Sequence, residues 1–252
     1  MLNIILSGCN GKMGQVITKI VEKTNDCKIV CGIDINTVMQ NDYPVYSSPD
    51  DFTGDADVII DFSHPNSFAG LVAYAKNRKI PIVVATTGLS KEQKNVLEEI
   101  SKEIPVFFSA NMSLGVNLII DLAVKAAKVL EESFDIEIIE KHHNSKIDAP
   151  SGTALAIADA VSNALSQPAE YIYDRHSVRK KRDKNEIGIH AVRGGTIVGE
   201  HSVIFAGQDE VIEIMHQANS KEVFAVGAVR AAKFLHKQPV GLYNMKDLVN
   251  SL

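Results

Sequence analysis

The densest run of reactive side chains in this sequence is Glu140-Lys141-His142-His143-Asn144-Ser145-Lys146-Ile147-Asp148-Ala149-Pro150-Ser151-Gly152-Thr153-Ala154. A histidine can give or take a proton near neutral pH. A lysine can meet an anionic substrate. Adjacent strand residues point to opposite faces, so His142 and His143 are not expected to chelate one metal together. No His-x-x-x-His spacing or nearby cysteine adds ligands, and no metal site is expected. Ser151-Gly152-Thr153 follows Pro150 and opens a predicted helix, whose first N–H groups suit a carboxylate. On these residues alone, two polar strand-end histidines before an ordinary helix cap remain an alternative reading.

A second group lies near the N-terminus. Gly8-Cys9-Asn10-Gly11-Lys12-Met13-Gly14 falls between a predicted strand and a predicted helix, with the spacing G-x-x-G-x-x-G. Glycines there let the backbone approach a pyrophosphate closely, and the helix N-terminus offers it N–H groups and positive partial charge. Asp34, at the end of the next strand, lies 20 residues beyond Gly14, where an acid binds ribose hydroxyls. A carboxylate there repels the extra phosphate of NADPH. Ile35 and Asn36 supply no positive charge, and Lys12 is the nearest cation. NADH is therefore expected to be used at least as well as NADPH. Cys9 reads as a small packing residue rather than a reactive thiol.

The elements that must position these groups follow from hydrophobic periodicity. Residues 2–7 are almost continuously apolar, as in a strand buried on both faces of a parallel sheet. Met13, Val16, Ile17, Ile20 and Val21 predict a helix over 12–24. Strands are expected at 28–33, 58–62, 81–85 and 105–109, with an irregular loop between 34 and 56. Pro65 opens one intervening helix, and Ser90 with Gln93 makes a capping box for another through about 102. Alternating strands and helices imply right-handed βαβ units, an α/β domain with a Rossmann-like parallel sheet. The pattern changes near 113. A long helix is followed by alternation from Phe134, a helix at 151–165, and strands at 187–193, 196–206 and 211–217, with turns at Gly194-Gly195 and Gly207-Gln208-Asp209. Short turns predict a second, α+β domain on a mixed or antiparallel sheet. A last helix at 220–236 could return to the first sheet. The expected domains are 1–112 plus 219–252 for the dinucleotide, and 113–218 for substrate and oligomerisation.

Composition narrows the function classes. The 252 residues carry 26 basic and 31 acidic side chains, a net charge of −5, which excludes a generally basic nucleic-acid binder. No apolar run reaches the ~20 residues of a membrane helix. The first residues lack the cationic region of a signal peptide. Three cysteines without C-x-x-C fit a reducing cytoplasm. Residues 174–186 hold six basic and three acidic side chains and are expected to be a solvated loop. His64, His176, His190, His201, His216 and His236 receive no role.

The 140–154 segment resembles the signature of the 4-hydroxy-tetrahydrodipicolinate reductase family, also called dihydrodipicolinate reductases, of the diaminopimelate and lysine pathway. The glycine loop resembles that family's G-x-x-G-x-M-G form. Ala85-Thr86-Thr87-Gly88 resembles its G-T-T-G, with Ala85 in place of a glycine. Ser109-Ala110-Asn111-Met112-Ser113, Arg193-Gly194-Gly195, Gly199-Glu200-His201 and Gly241-Leu242-Tyr243-Asn244-Met245 match as well, so the likeness covers nearly the whole chain. It implies hydride transfer from a nicotinamide to C4 of an unsaturated dicarboxylate heterocycle, then protonation of the neighbouring carbon. His142 takes the position of the proton donor and acceptor. Lys146 takes that of a second donor that also offsets carboxylate charge. His143, Gly152 and Thr153 match substrate-binding positions, with Ser151 beside them. Gly8, Cys9, Asn10, Gly11, Lys12, Met13, Asp34, Ala85, Thr86, Thr87, Ser109, Ala110, Asn111 and Met112 match cofactor contacts. It further implies a homotetramer, and no nucleic-acid or membrane partner. Two rivals use the same glycine loop: an amino-acid dehydrogenase acting on aspartate, and a nucleotide-sensing module without chemistry.

Overall fold

The structure is a computed structural model describing residues 1–252. In chain order the elements are β1 (Leu2–Ser7), α1 (Lys12–Glu22), β2 (Cys27–Ile33), β3 (Val45–Tyr46), β4 (Val58–Asp61), α2 (Phe68–Arg78), β5 (Ile82–Val84), α3 (Lys91–Ile100) and β6 (Pro105–Phe108). Next come α4 (Leu114–Leu130), β7 (Asp135–His142), α5 (Gly152–Ser162), β8 (Glu170–Ile172), β9 (Glu186–Arg193), β10 (Gly199–Ala206) and β11 (Val211–Ala218). The chain ends with α6 (Glu222–Leu235), β12 (Gly241–Tyr243) and α7 (Met245–Asn250). It divides into two compact units, Met1–Leu114 with Glu222–Leu252, and Gly115–Lys221.

The first unit is a parallel sheet in the order β12-β6-β5-β4-β1-β2-β3. Its central strands are largely apolar because both faces are covered. Ile4, Leu6, Ile60 and Phe107 pack in one layer with Ile17 of α1 and Ala228, Ala232 and Leu235 of α6. Ile5, Ile59, Val84 and Val106 pack in the other, with Leu71 and Ala75 of α2 and Leu97 of α3. Thus α6 does return to the first sheet, where its small residues allow close approach. Ser90 and Gln93 form the predicted capping box on α3. Three short strands fall outside the sequence reading: β8 in the second unit, and two in this one. β3 has only two residues, pairing with Gly32 and Ile33 inside the stretch taken as irregular. β12 pairs with β6 as a three-residue edge. Neither is long enough to show alternation.

The second unit is a mixed sheet in the order β11-β10-β7-β9-β8. On one face, Ile136, Ile138, Ile187 and Val203 pack against α4 and α5 through Ile119, Ala123, Ile157 and Val161. The short turn at Gly194-Gly195 suggested that the flanking strands are neighbours; they are not. β9 runs parallel to β7 on one side, and β10 runs antiparallel to it on the other. The intervening residues arch over the end of β7, with Gly194 N–H donating to His142 O (2.9 Å) and Asn144 N–H to Gly195 O (3.2 Å). A turn signal reports that the chain reverses, not which strand fills the gap.

The basic segment 174–186 is an exposed loop, as its composition predicts, and it is also tethered. Arg175 pairs with Glu137 (2.6 Å) and with the buried Glu186 (2.7 Å), and Arg182 bonds Asp135 (2.9 Å) and Glu137 (3.1 Å). The Arg175 and Lys180 hydrogen bonds draw the Glu186 carboxyl down to about 2. The charges form a strap across the acidic face of β7.

Two glycines make opposite predictions. A Cβ on Gly227 of α6 would lie 1.7 Å from Met112 O, a backbone atom that cannot swing away. Gly70 in α2 has open space around it. Gly227→Ala is expected to cost about 1–3 kcal/mol. Gly70→Ala is expected to add about 0.5–1 kcal/mol by removing backbone freedom from the unfolded chain. Denaturant midpoints at constant m-value check both; equal shifts for the two variants would contradict the packing account.

Candidate active site

In the first unit, the chain order places a topological switch between β1 and β4, where an open parallel sheet leaves a crevice at its C-terminal edge. A cleft of about 460 Å³ lies there, lined by Gly8, Gly11, Asp34, Ser48, Ser63 and Asn66 among others. Gly8 has φ +77, and a Cβ on it would stand 2.6 Å from Phe62 O. A Cβ on Gly14 would stand 2.3 Å from Gly8 O. The loop is therefore folded back on itself in a way only glycine permits. Gly11 is the N-cap of α1, and no side chain caps the helix. Its first N–H groups are thus left for an external acceptor, which suits a pyrophosphate.

Asp34 is held beside this loop. Its Oδ2 accepts from Asn10 N–H and its Oδ1 from Asn36 N–H, both at 3.0 Å. The Asn10 amide donates to Asn36 O (2.6 Å) and Val38 O (2.9 Å), stapling the glycine loop to the loop after β2. Lys12 is exposed. Cys9 is fully buried, and burial pushes its thiol up to about 11, so only its backbone faces a ligand. The other predicted cofactor residues follow β5 and β6 at the same sheet edge. Ala85 and Thr86 are buried, and Thr87 is exposed. Thr86 Oγ1 donates to Asp61 Oδ2 (2.7 Å), tying the ends of β5 and β4 together. Ser109 Oγ donates to Asn111 O (2.9 Å), Ala110 is exposed, and Met112 is buried.

In the second unit, the alternation along β7 is complete: every second residue, ending with Glu140 and His142, points inward. Glu140 Oε2 accepts from His142 Nδ1 at 2.6 Å. Arg193, opposite His142 in the register, donates NH1 and NH2 to the two oxygens of Glu140, each at 2.7 Å. Ser151 N–H adds a fourth bond at 2.9 Å. Burial alone would raise the Glu140 carboxyl; the bonds from Arg193, His142 and Ser151 outweigh it and hold the group below the usual range. Arg193 NH2 also reaches Asp148 O at 2.7 Å, fastening the loop that carries Lys146. Lys146 Nζ lies 2.7 Å from Asp148 Oδ1.

His143 points elsewhere, with Nδ1 2.8 Å from Ser145 Oγ. Ser151 uses its polar groups inside the unit: Oγ accepts from Ala154 N–H (3.2 Å) and shares a hydrogen bond with His201 Nε2 (3.0 Å). Gly152 is exposed and Thr153 half-exposed. The donors nearest solvent at the start of α5 are therefore those two. Sequence reasoning left out Glu140, Arg193 and His201 as site residues. Glu140 and His142 share a strand face by their two-residue spacing, which was a usable cue. Arg193 and His201 stand in the matching Arg193-Gly194-Gly195 and Gly199-Glu200-His201 motifs, but nothing local in sequence pairs them with Glu140 or Ser151.

Family comparisons bear on both units. The model described as dihydrodipicolinate reductase, N-terminus, matches residues 2–112, and the one described as dihydrodipicolinate reductase, C-terminus, matches residues 115–249. This chain belongs to the dihydrodipicolinate reductase family. A 4-hydroxy-tetrahydrodipicolinate reductase of Caldanaerobacter subterraneus is 57% identical over 249 residues, covering 99% of this chain and 98% of the relative. The Clostridium tetani enzyme of that name is 51% identical, covering 100% of this chain and 98% of its own. A dipicolinate-bound dihydrodipicolinate reductase from Paenisporosarcina sp. TG-14 shares the fold over 100% of both chains, with TM-score 0.83 at 23% identity. A diaminopimelate dehydrogenase of Corynebacterium glutamicum shares it more distantly, with TM-score 0.59 at 13% identity over 98% of this chain and 95% of its own. The reductase family thus accounts for both the glycine loop and the Glu140–Thr153 segment. No helix is long and apolar enough to cross a membrane.

The buried His201 carries a pH signature. Desolvation first, and then the neighbouring His142, push it from 6.5 down to about 4. Below pH 6.5 the unfolded chain binds a proton that the folded chain refuses, so stability falls as pH drops through the window from 6.5 to about 4. The loss attributable to this one group is about 3 kcal/mol at most. Denaturant unfolding of wild type and His201→Gln across that window checks it. The wild type should lose more stability than the variant, and parallel curves would remove His201 as the cause.

Proposed function

We propose that this protein reduces 4-hydroxy-tetrahydrodipicolinate, or its dehydrated form dihydrodipicolinate, to tetrahydrodipicolinate with NAD(P)H, in diaminopimelate and lysine biosynthesis. The carrying observation is His142, fixed by a buried carboxylate and joined through it to the start of α5, in a chain matched end to end by one reductase family. Gly8, Gly11 and Asp34 of the first unit would hold a nicotinamide cofactor, which would supply the hydride. His142 delivers the proton that completes addition to the conjugated imine. Lys146 offsets carboxylate charge and serves as a second proton donor. Asp148 now receives hydrogen bonds from Lys146 and from Gly152 N–H. Those two donors are what an incoming carboxylate takes over, with Thr153 and His143 completing its surroundings. Two such anions on the substrate explain why a helix N-terminus and cations occur together.

NADH serves at least as well as NADPH in this reading. The support is Asp34 beside the glycine loop, with Ile35 and Asn36 following it and no cation there other than Lys12. The test follows absorbance of NADH or NADPH against the fresh condensation product of pyruvate and aspartate semialdehyde. Turnover with both is expected; a hundredfold preference for NADPH would overturn the cofactor assignment. In the same assay His142→Gln should lower kcat about 10²–10⁴-fold with NADH binding nearly intact. Lys146→Ala should damage both kcat and the substrate KM.

The cytoplasm is the proposed location, supported by three unpaired, buried cysteines. A homotetramer built on the second unit is proposed as well. By register, Ile139, Val192, Ile204, Val211 and Met215 lie on the sheet face opposite α4 and α5. Of these, Val192, Val211 and Met215 are exposed, at 44%, 64% and 57%. Sedimentation should show a tetramer for wild type and a smaller species for Met215→Lys; a monomeric wild type would contradict the assembly.

A further inference from the structure

Glu140 has no exposed surface, yet four N–H groups converge on its two oxygens. They come from the next inward residue of β7, from β9, and from the residue that caps α5. A buried carboxylate persists when its charge is matched and its lone pairs are filled. The Arg193 fork alone would match the charge. The other two donors are different in kind. His142 Nδ1 belongs to the proposed proton donor, and Ser151 N–H is the last backbone donor before the Gly152-Thr153 turn.

We propose that Glu140, clamped by Arg193, is a positioning residue that fixes His142 as the Nδ1–H tautomer, leaves Nε2 as the atom that exchanges the proton with substrate, and sets the start of α5 in the same bond network. An ionised carboxylate can only accept, so the nitrogen facing it must carry the hydrogen. The other ring nitrogen is then free for chemistry. Its surroundings agree. A Cβ on Gly199 would come within 3.1 Å of His142 Nε2, so the glycine leaves that nitrogen uncrowded. The His201 ring stands edge-on to His142, with centroids 5.2 Å apart, and holds the imidazole plane from the side. The assignment rests on the reading that His142 protonates the reduced heterocycle, but its central statement concerns a tautomer and can be measured without turnover.

The first measurement is long-range ¹H–¹⁵N correlation on the full-length wild type with labelled histidine, the His142 signals being assigned by their loss in His142→Gln. Neutral His142 should show a protonated Nδ1 and a bare Nε2. A bare Nδ1 overturns the proposal, whatever the activity. The second is steady-state kinetics of Glu140→Gln, which keeps size but loses the charge. We expect kcat to fall on the order of 10²-fold and the substrate KM to rise. The NADH dissociation constant should stay within about twofold, because the glycine loop is built in the other unit. A folded Glu140→Gln with kcat within about threefold of wild type refutes a positioning role. Arg193→Lys keeps the charge but loses the fork. It should cost roughly tenfold in kcat and shift the His142 Nδ1 resonance, and an unmoved resonance counts against the clamp. If Glu140→Gln does not fold, the wild-type tautomer and Arg193→Lys decide. If wild type shows no turnover, the proposed reduction fails while the tautomer result still stands or falls alone.

Discussion

A carboxylate taken out of water needs its charge answered on the spot, and in this protein that requirement organises the second unit. Glu140 is answered by Arg193, whose planar fork meets both oxygens at 2.7 Å. Forming the pair demands that β7 and β9 lie side by side in one register, with His142 opposite Arg193. Shifting that register by one residue would turn Arg193 away and leave a buried anion unmatched, a change worth several kcal/mol. The ion pair and the sheet register therefore enforce each other. The arch from β9 to β10 closes over the same place through Gly194 and Gly195. The arrangement of strands and the arrangement of the His142 imidazole are one constraint seen at two scales.

The two helix N-termini proposed to meet anions are prepared differently, and the difference follows from their caps. α1 begins at Gly11, with no side chain on its first N–H groups. An uncapped helix end is costly unless water or a ligand satisfies it. The tight approach of Gly14 to Gly8 O shows that backbone, not side chain, is meant to fill this space. α5 begins at Ser151, whose hydroxyl already serves Ala154 N–H. The surface it turns to solvent is narrower: Gly152 is exposed and Thr153 half-exposed, and Gly152 N–H and Lys146 already share the Asp148 carboxylate. Such a division fits a bulky pyrophosphate at one end and a single carboxylate at the other.

Much of this was legible in sequence, for a physical reason that also marks its limit. The parallel sheet announced itself because strands covered on both faces must be apolar at every position, as Ile4, Ile5 and Leu6 are. The α3 capping box and the inward alternation of β7 are likewise local patterns. The order of strands in the second sheet was not legible, since a tight turn beside Gly194 constrains direction but not adjacency. Arg193 lies 53 residues from Glu140 and His201 lies 50 from Ser151. No periodicity spans such separations. The segment 174–186 is the exposed loop its composition predicts, but its tether was not legible for the same reason: its partners Glu137 and Asp135 sit on a strand that precedes it by some forty residues.

One feature of β7 ties the readable and the unreadable together. The two-residue period that turns Glu140 and His142 inward turns Glu137 and Lys141 outward. Outside, Glu137 gathers Arg175, Arg182 and His190 in a half-exposed cluster. Screened by solvent, such pairs contribute modestly each and tolerate exchange. Inside, the equivalent acid has one guanidinium, one imidazole and one amide, with no water to substitute for any of them. The same residue type on the same strand is thus a surface tether at one position and a fixed electrostatic reference at another. Burial, rather than identity, decides which carboxylate can hold an imidazole in a single tautomer.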